Sequence, residues 1–161
     1  MKQRIIIFLI NILILMSLAS CRKHYVYNHY ESLPDKEWRI EDTLSYNFYI
    51  DDTINPHSLS LNIRYNNDYP YRNLYIFAQT IYPDMSSDND TLQLYLSASD
   101  GSLYGKGIGD IKEIQFILND NIIFADTGIY SLNMIHGMRD DNLSGIDKIG
   151  FVVTKSNKTN E

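Results

Sequence analysis

Ser58-Leu59-Ser60-Leu61-Asn62-Ile63-Arg64-Tyr65 is the stretch whose reading decides the fold. Leu59, Leu61, Ile63 and Tyr65 fall on every second position, and Ser58, Ser60, Asn62 and Arg64 stand between them. Successive side chains of a strand point to opposite faces, so this alternation predicts a β-strand with one face in a core and the other in water. Upstream, Leu44, Tyr46, Phe48 and Ile50 alternate with Ser45, Asn47 and Asp51 in the same way. The two runs are separated by Asp51-Asp52 and Asn55-Pro56, which are turn residues.

Downstream the pattern repeats at short intervals. Asn66 to Pro70 has loop composition, and Leu74 to Tyr82 follows with apolar residues on both faces, including Tyr75, Phe77 and Ile81. Such a strand is expected to be central or covered. Pro83 to Asn89 reads as a polar connection, after which Leu92, Leu94 and Leu96 alternate with Gln93, Tyr95 and Ser97. A hairpin-like turn is expected at Ser99-Asp100-Gly101, followed by a bent, glycine-rich connection. Ile114, Phe116 and Leu118 form another short strand, broken by Asn119-Asp120-Asn121. Ile129 to Ile135 and Ile149 to Val153 supply two more, separated by the turn-rich stretch from Met138 to Gly145. Seven to nine short strands without an amphipathic helix predict an all-β fold, a single antiparallel β-sandwich. Jelly-roll-like connectivity is the first expectation and an immunoglobulin-like order the second.

The amino terminus carries a different message. Lys2 and Arg4 precede an apolar run from Ile5 to Met16, and Leu18-Ala19-Ser20-Cys21 follows. A basic segment, a short apolar segment and a small-residue cleavage site make a removable secretory signal. A cysteine directly after the site makes it a lipoprotein signal. The thiol of Cys21 takes a diacylglyceryl group, and cleavage after Ser20 frees an amine that a further acyl chain can occupy. The apolar run is well short of the roughly 20 residues that a bilayer crossing needs. Two or more chains give a stable anchor where one does not. The expected organisation is a signal peptide over 1–20, a lipidated N-terminus and tether over 21–40, a sandwich over 41–155 and a polar tail over 156–161. The tether is expected because Tyr25, Tyr27, His29 and Tyr30 show neither helical nor strand periodicity before Pro34.

Removal of the signal takes Lys2 and Arg4 with it and leaves twelve basic against twenty acidic side chains, a net charge of −8. An acidic chain of this kind repels nucleic acid, which is excluded as a partner. Cys21 is the single cysteine, so the domain depends on packing rather than disulfides. No catalytic constellation is written in the chain. His24, His29, His57 and His136 lack the spacing of a zinc site. His24 and His29 read as tether residues and His136 as a strand-end residue. Asp84, Asp88 and Asp90 lack the alternating acids and glycine of a calcium loop and read as a solvated connection. Gly101 to Gly107 lacks the Ser or Thr after Lys106 that a phosphate loop requires, and no serine lies in a nucleophile elbow. No enzyme activity, cofactor or metal is expected. Tyr75, Phe77, Tyr95 and Tyr104 point away from the leucine-lined face under strict alternation. They are read first as a second core layer beneath a long loop, and alternatively as an aromatic surface for a protein partner or a sugar.

Several motifs behind the lipobox carry a resemblance. These are Tyr69-Pro70-Tyr71-Arg72-Asn73-Leu74-Tyr75-Ile76-Phe77, Gly105-Lys106-Gly107-Ile108-Gly109-Asp110, Phe124 with Gly128-Ile129-Tyr130, and Met138-Arg139-Asp140-Asp141-Asn142-Leu143-Ser144-Gly145-Ile146 with Ile149-Gly150. In this order they resemble the GldH family of gliding-motility lipoproteins of the Bacteroidota, over most of the mature chain. The resemblance implies an envelope lipoprotein associated with gliding and with type IX secretion. It transfers one functional position, the lipid-bearing Cys21. It also makes Asp42-Thr43-Leu44, Asp52-Thr53-Ile54 and Asp90-Thr91-Leu92 look like O-glycosylation acceptors of these bacteria. Arg22-Lys23-His24 lacks the acidic cluster that resembles a surface-export signal, so the expected location is the outer membrane, facing the periplasm. The main expectation is a non-enzymatic anchored domain that binds or supports the gliding and secretion machinery. The alternative is a glycan-binding module that uses Tyr75, Phe77 and Tyr95.

Overall fold

A computed structural model describes residues 25–156. The expected signal peptide, Cys21, the tether residue His24 and the last five residues lie outside the described residues. Ten strands occur among the described residues: β1 (Tyr25–Ser32), β2 (Glu37–Arg39), β3 (Leu44–Ile50), β4 (His57–Tyr65), β5 (Asn73–Ile81), β6 (Ser87–Tyr95), β7 (Lys112–Ile122), β8 (Gly128–His136), β9 (Asn142–Ser144) and β10 (Ile146–Lys155). One sheet has the order β1-β10-β4-β7 and the other β3-β8-β5-β6, while β2 and β9 form a two-stranded ribbon. All pairings are antiparallel.

Apart from the ribbon, the eight long strands divide between the sheets as first-last-third-sixth and second-seventh-fourth-fifth. That is jelly-roll connectivity, so the first expectation holds and the immunoglobulin-like order does not. The two sheets bury the side chains that the alternation assigned to the core. Along β3, Leu44, Tyr46, Phe48 and Ile50 are buried and the residues between them are exposed. Phe48 stacks on Tyr130 at 5.7 Å and lies 5.4 Å from Phe151 of the opposite sheet. The buried Tyr46 hydroxyl donates 2.8 Å to the Ile149 carbonyl, a polar link between the sheets. A phenol in a dry core requires such a partner.

The structure corrects several expectations. The tether placed over 21–40 is strand from Tyr25 to Ser32, paired along β10, and strand again in β2. Its period is hidden because an edge strand here uses half-buried aromatics rather than aliphatics on its inner face. Tyr27 packs on Phe48 and Phe151, and His29 stands edge-on to Tyr46. Residues of the segment assigned to the tether, from Tyr25 onward, therefore belong to the folded domain. The polar connection expected over Pro83 to Asn89 is shorter, since β6 starts at Ser87 in full register with β5. Likewise β7 runs through Asn119-Asp120-Asn121 to Ile122 by shifting register opposite Leu59 and Ser60. A bulge absorbs the polar run without ending the strand. The stretch from Met138 to Gly145 contains β9.

The expected wet face of β4 is covered too. Ser60 and Asn62 are buried, beneath side chains reaching over from the neighbouring strands. Gln115 donates 3.1 Å to Ser60 Oγ, and Asn62 Nδ2 donates 2.6 Å to the Tyr30 hydroxyl.

The sandwich has two distinct ends. At one, Tyr25, His57, Ile122 and Lys155 lie close in register beside Ile50, Gly128, Ile81 and Ser87 of the other sheet. The connections over 51–56, 82–86 and 123–127 all turn there. The opposite end is closed by the β2–β9 ribbon. Trp38 is fully buried beneath that ribbon and donates 2.9 Å to the Asp42 carbonyl. Gly145 sits at φ 83° between β9 and β10, where a Cβ would lie 2.3 Å from the Tyr69 nitrogen. Only glycine fits there.

Candidate functional site: an aromatic face on the second sheet

Strand alternation sends Leu74, Ile76 and Ala78 of β5 inward, so Tyr75, Phe77 and Gln79 point out. Register places Tyr75 opposite Gln93 of β6, and Phe77 opposite both Thr91 of β6 and Ile135 of β8. Tyr95 continues the outer row of β6, and its hydroxyl accepts 3.1 Å from Gln93 Nε2. The structure thus brings Tyr75, Phe77 and Tyr95 together on one surface, where they are 36%, 49% and 48% exposed. They do not form the second core layer that was the first reading. No loop covers them, because the connections cluster at the two ends of the sandwich. Tyr104 is exposed as well, but it belongs to the connection after β6, where its carbonyl and that of Leu96 flank the Tyr65 hydroxyl.

The face is held rigidly. The Gly137 nitrogen donates 2.8 Å to the Tyr75 carbonyl, and the Tyr75 nitrogen lies 3.3 Å from Met138 Sδ. The Phe77 ring lies over Gly137, where a Cβ would approach Cε2 and Cζ to 2.8 Å. Beside Phe77 runs a shallow groove of about 710 Å³, with Gln79, Asn89, Thr91, Asn133 and Ile135 along it. The sequence reading missed the amides and Ile135. They occupy outward positions of β5, β6 and β8 and were detectable only as the outward half of the alternation, which carries no information about which strand lies alongside.

A second concavity of about 540 Å³ lies between the sheets, walled by Leu92, Leu118, Phe124 and Tyr130, with Asp84 and Asp126 at its rim. It lies beside β6 and β7, each of which has a neighbour on one side only, toward the end where the 82–86 and 123–127 connections turn.

Two of the histidines are placed as packing groups. His57 and His136 are fully buried, their rings facing the backbone of Asn55 and of Asp141 and Trp38 respectively without a well-formed hydrogen bond. His57 stands edge-on to Phe124 at 5.3 Å and His136 edge-on to Trp38 at 5.5 Å. Burial holds both below the ordinary histidine pKa, with Asp52 opposing the effect at His57 and Asp141 at His136. His136 ends β8, and His29 lies within β1 rather than in a tether. Asp84 accepts from the Ser86 backbone and hydroxyl, Asp88 accepts 2.8 Å from the Tyr82 hydroxyl, and Asp90 accepts from the Thr91 nitrogen. Among the described residues no group of three His, Cys, Asp or Glu side chains is placed to hold a metal ion. Of the three threonines in acceptor-like triplets, Thr43 and Thr91 are exposed and Thr53 is half-buried.

The fold and its outward aromatic row define a jelly-roll module with an exposed aromatic face. Comparison with known proteins gives the family. The family model described as GldH lipoprotein matches residues 25–153. A gliding motility lipoprotein GldH homolog of Christiangramia forsetii is 31% identical over 159 residues, covering 94% of this chain and 95% of its own length. The gliding motility lipoprotein GldH of Flavobacterium johnsoniae is 28% identical over 141 residues, covering 83% and 87%. The chain belongs to the GldH lipoprotein family. Among solved structures, that of infectious bursal disease virus Gx strain is similar at a TM-score of 0.38 and 13% identity, over 86% of this chain and 32% of the viral one. Dimeric latent PorU from Porphyromonas gingivalis is similar at a TM-score of 0.37 and 8% identity, over 86% of this chain and 13% of its own.

Proposed function

We propose that the protein is a non-enzymatic lipoprotein of the outer membrane, anchored through acylated Cys21 and facing the periplasm, whose aromatic face binds a protein component of the gliding and type IX secretion machinery. Its two relatives are named for gliding motility, which supports the cellular setting. The single observation that carries the binding reading is the exposed row Tyr75, Phe77 and Tyr95 beside Ile135. Rigid aromatics lose little side-chain entropy on contact and dominate protein interfaces. A flat face braced by Gly137 is already organised for docking, which lowers the cost of association.

The test is a photo-crosslinking amino acid placed at Phe77 or Tyr95 in living cells. A discrete adduct containing a gliding or secretion component supports the reading. A protein that crosslinks to nothing there, and stays alone in several mild detergents, removes it.

A second reading has its own observation. The groove beside Phe77 carries amides and a hydroxyl next to an aromatic ring, a combination suited to the faces and hydroxyls of a sugar. Saturable binding on a glycan array, lost on Phe77→Ala, favours this reading over the first.

A further inference from the structure

Three separate connections at the end of the sandwich where the chain enters each hold a large apolar side chain out into solvent. Ile54 in the β3–β4 connection is 83% exposed, Met85 in the β5–β6 turn 81% and Ile123 in the β7–β8 connection 51%. Tyr25, the first residue of β1, is exposed at this same end, as are Tyr49 and Ile129, which pair across β3 and β8.

These tips are built rather than frayed. Asp52 Oδ1 accepts from the nitrogens of Ile54 and Asn55 at 3.1 and 3.0 Å, and Oδ2 accepts 2.7 Å from Lys155 Nζ, so the loop that carries Ile54 is pinned to β10. Met85 stands at φ 70°, where a side chain is disfavoured, and its nitrogen donates 3.0 Å to the Tyr82 carbonyl. Glycine or asparagine suits that backbone better, so an exposed methionine there points to a use for the side chain.

The chain's entry point identifies the occupant. Four residue steps separate Cys21 from Tyr25, and an extended chain covers at most ~14 Å in that distance. A lipid on Cys21 therefore holds this end of the domain within about that distance of the membrane. The cleft between the sheets opens at the same end, with Ile123 in its lining. The opposite end also exposes Ile40, Tyr104 and Ile108, but no anchor lies near it.

We infer that Ile54, Met85 and Ile123 are a second membrane contact, a tripod of loop tips that inserts into the headgroup boundary of the bilayer and sets the domain upright on its anchor. The inference rests on the anchor reading above. Asp51, Asp84 and Asp126 flank the tips, while Lys155 is paired with Asp52, so the contact suits a zwitterionic surface better than an anionic one. In that posture the β2–β9 end points into the aqueous compartment and the aromatic face stands clear of the lipid.

The test uses the full-length protein purified from membranes, with Cys21 blocked by its acyl group. A bimane fluorophore is placed beside each tip through Thr53→Cys, Ser86→Cys or Ala125→Cys, or at the far end through Glu41→Cys or Ser102→Cys. Each protein is reconstituted into phosphatidylethanolamine–phosphatidylcholine vesicles carrying brominated acyl chains. Quenching at the three tip labels at least about threefold above the far-end labels is expected. The triple variant Ile54→Ser, Met85→Ser, Ile123→Ser should lose at least half of that quenching with its melting temperature unchanged. Equal quenching at both ends, quenching indifferent to the triple variant, or tip-to-tip crosslinked dimers without quenching would each overturn the inference. Palmitate labelling of Cys21 reports the anchor separately, so a missing anchor and non-inserting tips give different results.

Discussion

The ring of Tyr30 lies directly on the backbone of Gly150: a Cβ built on that glycine would come within 2.4 Å of the ring's Cε1. Tyr30 starts on the edge strand β1, crosses β10 at Gly150 and accepts a hydrogen bond from Asn62 on β4. One side chain thus covers the outer face of three strands. Gly150→Ala is expected to push the ring away and destabilise the domain by about 1–3 kcal/mol, lowering the melting temperature by roughly 4–10 °C. Tyr30→Phe should cost about 1 kcal/mol, because Asn62 is only 8% exposed and loses its partner. Thermal denaturation followed by circular dichroism measures both. An unchanged melting point in Gly150→Ala would show that the Tyr30 cover contributes nothing.

His57 and His136 make stability depend on pH in one direction. Both are buried and neutral, and burial lowers their pKa in the folded state below the ordinary value of 6.5. Between the folded and unfolded values the unfolded chain binds more protons, so stability is full above about pH 6.5 and falls as pH drops. The slope is at most about 1.4 kcal/mol per pH unit for each histidine. Urea midpoints at pH 7.5 and 5.5 should therefore differ, with the lower value at pH 5.5.

The same two rings make a prediction at constant pH. Neither makes a well-formed hydrogen bond, the backbone of Asn55 lying near His57 and that of Asp141 and Trp38 near His136, and both act as edges against aromatic neighbours. His57→Phe should change stability by less than about 2 kcal/mol at pH 7.5 and should flatten the acid decline, since an apolar ring of similar shape keeps the packing on Phe124 and removes a group that must charge on unfolding. A loss of more than about 2 kcal/mol would mean that the imidazole has a polar role.

Tyr75→Ala with Phe77→Ala removes exposed rings only. Stability should change by less than about 1 kcal/mol, whereas crosslinking to the envelope partner should fall at least tenfold. Gly137→Ala offers a subtler probe. It leaves both rings in the sequence but displaces Phe77, and partner capture should weaken with the fold intact.

Cys21→Ala should abolish incorporation of labelled palmitate and leave an unprocessed precursor, read by fractionation and by mass spectrometry of the amino terminus. Undiminished labelling would remove Cys21 from its role.

The alternation over Leu44 to Ile50 and Ser58 to Tyr65 was enough to read strands and an inner face, because burial on one side imposes period two on the chain itself. The same rule failed at β1, where tyrosine and histidine serve both faces, and at β7, where a bulge carries a polar triplet through the ladder. Tyr75, Phe77 and Tyr95 were legible as outward-pointing. That they are neighbours was not, since cross-strand register is a relation between segments far apart in the chain.

What the sequence determined by itself is the set of local preferences, namely which residues seek the core and where the chain turns, since each follows from side-chain chemistry within a few residues. Which strands lie side by side, that Tyr30 hides the polar face of β4, and that Ile54, Met85 and Ile123 gather at the end where the chain enters were decided only by the tertiary structure. Jelly-roll pairing joins segments as far apart as Tyr25 and Thr154, 129 positions along the chain, and no local pattern encodes such a partner.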